Sequence, residues 1–79
     1  MGKVTLADLK PGESAKIVAF AGLDRAYRQR LMAMGLTPST TITVVRRAPF
    51  GDPIEIEVRG SLLSLRQPEA AMMQLERLV

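Results

Sequence analysis

The chain has 79 residues, no cysteine, no histidine and a net charge of +3, from 11 lysines and arginines against 8 aspartates and glutamates. So short a chain forms one domain, residues 1–79, that buries only about 60% of the surface its unfolded form exposes; with no disulfide or imidazole-held metal, packing alone must hold it. The same inventory removes the usual nucleophile–base pairs of enzymes, and the basic residues are scattered in runs no longer than two, so catalysis is excluded and a nucleic-acid patch is disfavoured.

The opening MGKVTLADLK has no apolar run near the ~20 residues that span a bilayer, which predicts a soluble, cytoplasmic chain. Thr5 can cap a single helical turn ending at Pro11-Gly12, with Leu6 and Leu9 plugging one end of the core. A strand follows from Glu13 to Phe20, apolar on both faces because Ala15, Ile17 and Ala19 alternate with Lys16, Val18 and Phe20.

Gly22 breaks that strand, and Asp24 is a plausible N-cap for a helix through about Met34. Leu23, Tyr27, Leu31 and Met34 recur at helical spacing and predict the inward stripe, while Arg25, Arg28, Gln29 and Met32 fall on another face. Gly35 stands where a left-handed residue ends a helix, Leu36 can fold back onto the last turn, and Pro38 prevents continuation.

The remainder reads as a β meander. Thr41 to Ala48 is rich in β-branched residues, PFGDP turns the chain, Ile54 to Val58 alternates, and Arg59-Gly60 leads into Leu62 to Arg66. Pro68 can start a short helix through EAAMMQ, and Leu75 to Val79 can form a closing strand. Five strands and two small helices suit a small closed barrel, since closure removes the exposed edges of a lone meander. In IEIEVR, Ile54, Ile56 and Val58 should face the core, with Glu55 and Glu57 outside, where Arg46 or Arg47 can pair with them according to register. Pro49, Gly51, Asp52 and Pro53 make a stiff loop, Asp52 bonding its own turn, and Phe50 is left as an apolar tip.

Chemistry beyond this is sparse. Glu55 and Glu57 read as solubility residues, and Gly12, Gly22 and Gly35 stand singly without a phosphate-loop pattern. No cofactor and no metal site are expected, because transition ions prefer imidazole or thiolate; Met32, Met34, Met72 and Met73 read as core filling. Phe20, Tyr27 and Phe50 are too few for a base-stacking track or an aromatic peptide groove. What remains is a module that presents surface to a partner.

LKPGESAKI, YRQRLMAMGLTPST, VVRRAPFGDPIEIEVRGSLLSLR and EAAMM together resemble the ferrous iron transport protein A family over nearly the whole chain. The combination of MGL-x-P and AP-x-GDPI-x-I in this order is the specific part. Ser39 stands where a glycine is common in that family, and Phe50 where leucine is common. The resemblance implies an SH3-like five-stranded barrel with one helix between the first two strands and a short one before the last. It also implies an accessory or regulatory role beside a membrane ferrous iron permease with a GTP-binding domain, the protein being cytoplasmic and peripheral to the inner membrane through that partner. The alternative is an SH3-like barrel that binds nucleic acid or another regulatory protein; a homo-oligomer is compatible with either. Arg25, Arg28, Met32, Phe50 and Asp52 are the expected partner-binding residues, and Gly12, Gly35, Pro38, Gly51, Pro53 and Gly60 the expected turn residues.

Overall fold

The structure, a computed structural model, describes residues 3–20 and 25–78. Six strands form one antiparallel sheet: β1 (Lys3–Val4), β2 (Ser14–Phe20), β3 (Thr41–Arg47), β4 (Ile54–Val58), β5 (Ser61–Leu65) and β6 (Met73–Arg77), in the order β1-β6-β2-β3-β4-β5. Helix α1 (Arg25–Ala33) joins β2 to β3, and the four-residue α2 (Gln67–Ala70) joins β5 to β6. The expected five strands are all present. The sixth, β1, is two residues long and pairs with β6. The sheet curls around one core, but no ladder joins β5 to β1 among the described residues, so hydrogen bonds do not close the barrel.

Alternation in β4 is as expected, with Ile54, Ile56 and Val58 buried against Ile42 and Val44 of β3 and Ile17 of β2. The last strand begins earlier than expected. Met73 and Leu75 are both fully buried, paired with Phe20 and Ile17, so a period of two across β2 prevails over the weak helical preference of EAAMMQ, and α2 stops at Ala70. Likewise β5 starts at Ser61, because Arg59-Gly60 is a complete two-residue hairpin loop between the paired Val58 and Ser61. Both loop residues have positive φ, 52° and 81°, the signature of a type I′ turn.

Two β-bulges bend the sheet. In β2 the partners step from Ile17↔Leu75 to Ala19↔Gln74, so Val18 is the extra residue and points out of the ladder. In β3 they step from Val44↔Ile56 to Arg46↔Glu55, so Val45 is extra and partly exposed. That second step decides which arginine meets the acid. Arg46 pairs with Glu55 at 3.1 Å, while Arg47 turns the other way and donates to the carbonyl oxygens of Leu6 and Leu9.

Those carbonyls end a single 3₁₀ turn, Leu6–Asp8, capped reciprocally by Thr5 and Asp8, whose carboxylate accepts the Thr5 N–H at 2.9 Å. Leu6 and Leu9 are buried, plugging the core as expected. Arg77 supports the same turn through the Asp8 carbonyl at 3.2 Å and pairs with Glu13 at 2.9 Å. Removing Arg47 takes a charged donor from both carbonyls and leaves that of Leu9 unpaired among the described residues, the Leu6 carbonyl keeping the Leu9 N–H at 3.2 Å, whereas the Arg46 pair is solvent-exposed. Arg47→Ala is therefore expected to cost about 1.5–3 kcal/mol and Arg46→Ala under about 1 kcal/mol, measured by denaturant unfolding.

Helix α1 ends in a Schellman motif. The Leu36 N–H bonds the Leu31 carbonyl at 3.2 Å and the Gly35 N–H that of Met32 at 3.0 Å, with Gly35 at φ +96° and both leucines fully buried. Of the expected inward stripe, Leu31 is buried and Tyr27 half-buried, but Met34 is 38% exposed: it is the cap residue, and the chain turns inward through Leu36 instead. Asp24 and Leu23 lie outside the described residues. Thr37–Thr40 then forms a turn closed by a 3.1 Å bond, with Pro38 second and Ser39 third at φ +76°. Proline followed by a positive-φ residue fits a type II turn, whose third position favours glycine. A methyl at Gly35 meets nothing within 4 Å, so its cost is purely conformational. Gly35→Ala should lose roughly 1 kcal/mol, and Ser39→Gly should gain about 0.5 kcal/mol, the relief of left-handed strain less the entropy of a freer unfolded chain. At this size each kcal/mol moves the melting temperature by about 4–8 °C, so thermal scans should show shifts of opposite sign.

Two carboxylates tie elements together. Glu13 accepts the Lys10 N–H at 2.7 Å and faces Arg77, contacts that hold its carboxyl below the ordinary 4.5. Glu69 accepts the Tyr27 hydroxyl of α1 and the Arg66 N–H at 2.9 Å, and is lowered from 4.5 in the same way. A carboxyl depressed on folding stabilises the native state above its unfolded value, and that contribution disappears as pH falls through the folded value. Stability should therefore hold above about pH 5 and fall as the pH drops below 4.5, and the Glu13→Gln, Glu69→Gln double variant should show a shallower acid limb in urea melts.

Candidate functional site

The bulge at Val18 shapes a groove. The last residues of β2, Val18, Ala19 and Phe20, form its floor; Arg25, Arg28, Gln29 and Met32 of α1 form one wall, and Pro38 closes an end. Its volume is about 390 Å³ and it opens to solvent. The four helical residues lie at i, i+3, i+4 and i+7, one face of α1, adjoining the side that carries Leu31 into the core. Helix α1 is held in this position by three anchors: buried Leu31, the Schellman turn through Leu36, and the bond from Tyr27 to Glu69 at the start of α2. Pro38 is placed by two backbone bonds, Ser39 N–H to the Ile17 carbonyl at 2.7 Å and Ile17 N–H to the Thr40 carbonyl at 2.9 Å.

The groove is apolar at its base and cationic at its rim. Met32 is half-buried, Val18 is 37% exposed, and Arg25 and Arg28 are exposed. Among the described residues no carboxylate lines it and neither arginine enters an ion pair. Such a surface suits a segment that brings apolar side chains flanked by acids.

The structure brings together Arg25, Arg28 and Met32 of the five expected partner-binding residues. Phe50 and Asp52 sit on the β3–β4 loop and do not line the groove. Phe50 is 97% exposed at that loop's tip. Asp52 is a correction: its carboxylate does not bond its own turn but accepts the Gln67 N–H of α2 at 2.8 Å, with Arg66 at 3.7 Å, so it ties the loop to the neighbouring start of α2. Beside that loop a depression of about 350 Å³ is lined by Arg46, Arg47, Pro49, Pro53, Glu55 and neighbours, but both arginines there are already engaged by Glu55 and by backbone carbonyls. The turn residues Gly12, Gly35, Gly51 and Gly60 all adopt positive φ, and Pro53 follows a cis peptide bond.

Sequence reasoning missed Val18, Phe20 and Pro38 as groove residues. The signal for the first two was the strand apolar on both faces; what it lacked was the bulge that re-aims Val18. The expectation that methionines fill the core holds for Met73 alone among the fully buried residues; Met32 is on the groove and Met34 partly exposed. Among the described residues no three acidic side chains converge in a metal-holding cluster, and no helix is long and apolar enough to cross a membrane.

Residues 4–77 match the FeoA domain. Over 71 residues, 90% of this chain, the sequence is 37% identical to the Fe(2+) transport protein A/Fe(2+) transporter FeoB fusion protein of Porphyromonas gingivalis, of which it spans only 8%. Among solved structures, the FeoA protein of Chlorobium tepidum is 38% identical and superposes with a TM-score of 0.87, covering 96% of this chain and 71% of that one. An iron uptake regulatory protein (FeoA) is 34% identical with a TM-score of 0.85, covering 98% of this chain and all of that one. With its mainly-β, SH3-like fold and these matches along almost its full length, the chain belongs to the FeoA family, which is associated with ferrous iron transport.

Proposed function

We propose that this protein is a non-catalytic accessory module of ferrous iron uptake that docks on the cytoplasmic part of a FeoB-type, GTP-binding membrane permease, and that the groove between β2 and α1 is the docking surface. The observation that carries this reading is the fusion in Porphyromonas gingivalis, where an FeoA-like segment and the Fe(2+) transporter share one polypeptide. Covalent linkage of two activities is what selection produces when their encounter matters, and separate chains then need a surface to replace the linker's effective concentration. The groove offers an apolar floor and two arginines that enter no ion pair among the described residues, the anchor-and-rim composition of interface centres. Phe50 supplies a second apolar contact from the β3–β4 loop. Bound this way, the protein is cytoplasmic and peripheral to the membrane.

Docking here is not strong activation of GTP hydrolysis. An arginine finger in trans adds ~10³- to 10⁵-fold, but it must be held rigidly inside a nucleotide site. Arg25 and Arg28 lie on the outer face of a helix, beside the groove rather than on an inserting loop.

Pull-downs with the permease's cytoplasmic domain test the surface. Met32→Asp and Phe50→Asp should each abolish or severely weaken capture, because an unpaired charge buried on binding costs several kcal/mol, while Arg25→Ala should weaken it less. Circular dichroism checks that each variant is folded. Saturating protein should change GTP turnover by less than about tenfold; a hundredfold acceleration lost in one arginine variant would assign a finger instead. Retained capture by both Met32→Asp and Phe50→Asp would place docking elsewhere.

A further inference from the structure

The two edges of the sheet are unlike. β1 is two residues long, and shortness is one way an edge is protected from further pairing. β5, SLLSL, has five residues with neither charge nor proline. The hairpin fixes which of its backbone groups are spare. Ser61 pairs with Val58 across the two-residue loop, so the antiparallel alternation directs Ser61, Leu63 and Leu65 to β4 and leaves the N–H and C=O of Leu62 and Ser64 on the outer edge. Among the described residues no backbone or side-chain group takes them. Leu62 is 60% exposed, and Ser64 is exposed beside it.

We propose that β5 pairs with β5 of a second copy, antiparallel about a two-fold axis at Leu63, joining two sheets into one. The occupant follows from the edge itself. Spare groups on alternate residues two apart are self-complementary: Leu62 opposite Ser64 of the second copy, and the reverse, uses both donors and both acceptors of each chain in four bonds. That is an isologous contact, which closes at two subunits and leaves no edge to propagate. β5 itself is uncharged, and the nearest outward acids, Glu57 of one β4 and Glu55 of the other, would stand three strand spacings apart, about 14 Å and beyond the screening length of roughly 8 Å. The pairing also covers the Leu62 side chain. It leaves the groove free, so a dimer can still dock.

Sedimentation equilibrium between about 10 µM and 1 mM, the range of a small and weak interface, should show a monomer–dimer equilibrium. Hydrogen exchange read by NMR should slow at the Leu62 and Ser64 amides with rising concentration, and not at Leu63 or Leu65, whose N–H groups already bond β4. Ser64→Pro deletes an outward donor that the native ladder does not use, so it should fold and weaken dimerisation at least tenfold. Leu62→Lys, which charges the edge without touching the ladder, should do the same should the proline variant not fold. Met32→Asp and Phe50→Asp should dimerise normally, which separates this inference from the docking proposal. A monomer at all concentrations, a dimer that survives both β5 variants, or one lost in Met32→Asp would overturn it.

Discussion

Two extra residues, Val18 in β2 and Val45 in β3, are the constraint on which the rest of this structure depends. A bulge bends its strand and changes the face that every later residue presents. In β3 that change exchanges the roles of two adjacent arginines: Arg46 is delivered to Glu55 outside, and Arg47 to the carbonyls of the Leu6–Leu9 turn. Without the step, Arg46 would stand opposite Ile54 on the core side and Val45 opposite Glu55. The turn that plugs the core would then lose its charged donor.

The bulge in β2 shapes the groove. It lifts Val18 out of the ladder with β6 and lays it, with Ala19 and Phe20, as the floor of the groove below α1. A helix over a flat, fully paired strand would bury those side chains as core. Here they stay accessible because α1 is anchored only along Tyr27, Leu31 and Leu36, with the Arg25–Met32 face standing clear. The core contacts and the groove wall thus use different faces of one short helix, while Phe20 of the groove floor also packs against the core.

Polar contacts follow the same economy. The Thr5–Asp8, Lys10–Glu13, Arg66–Glu69 and Asp52–Gln67 bonds all join a carboxylate to a backbone N–H at a turn or helix start. Each satisfies a donor that local structure leaves unpaired and fixes a loop without drawing on the small apolar core. Among the described residues no buried side-chain polar atom lacks a partner.

The amino-acid sequence by itself determined the local events: the alternation of Ile54, Ile56 and Val58, the helix stop at Gly35 with Leu36 folding inward, the turns at Gly12, Gly51 and Gly60, and the face that gathers Arg25, Arg28 and Met32. These depend on periodicity and on φ at single residues, which neighbours in the chain dictate. The family motifs carried the SH3-like fold. Only the tertiary structure decided the register steps at Val18 and Val45, the start of β6 at Met73, the added strand β1, the choice of Arg46 over Arg47 as the partner of Glu55, the outward position of Met34, and the reach of Asp52 to Gln67. Each depends on what another strand or helix offers across a long stretch of chain. A strand apolar on both faces is equally consistent with either register until β6 and β3 pack against it, and a four-residue helix is too short to resist a neighbour that can bury Met73 and Leu75 as strand.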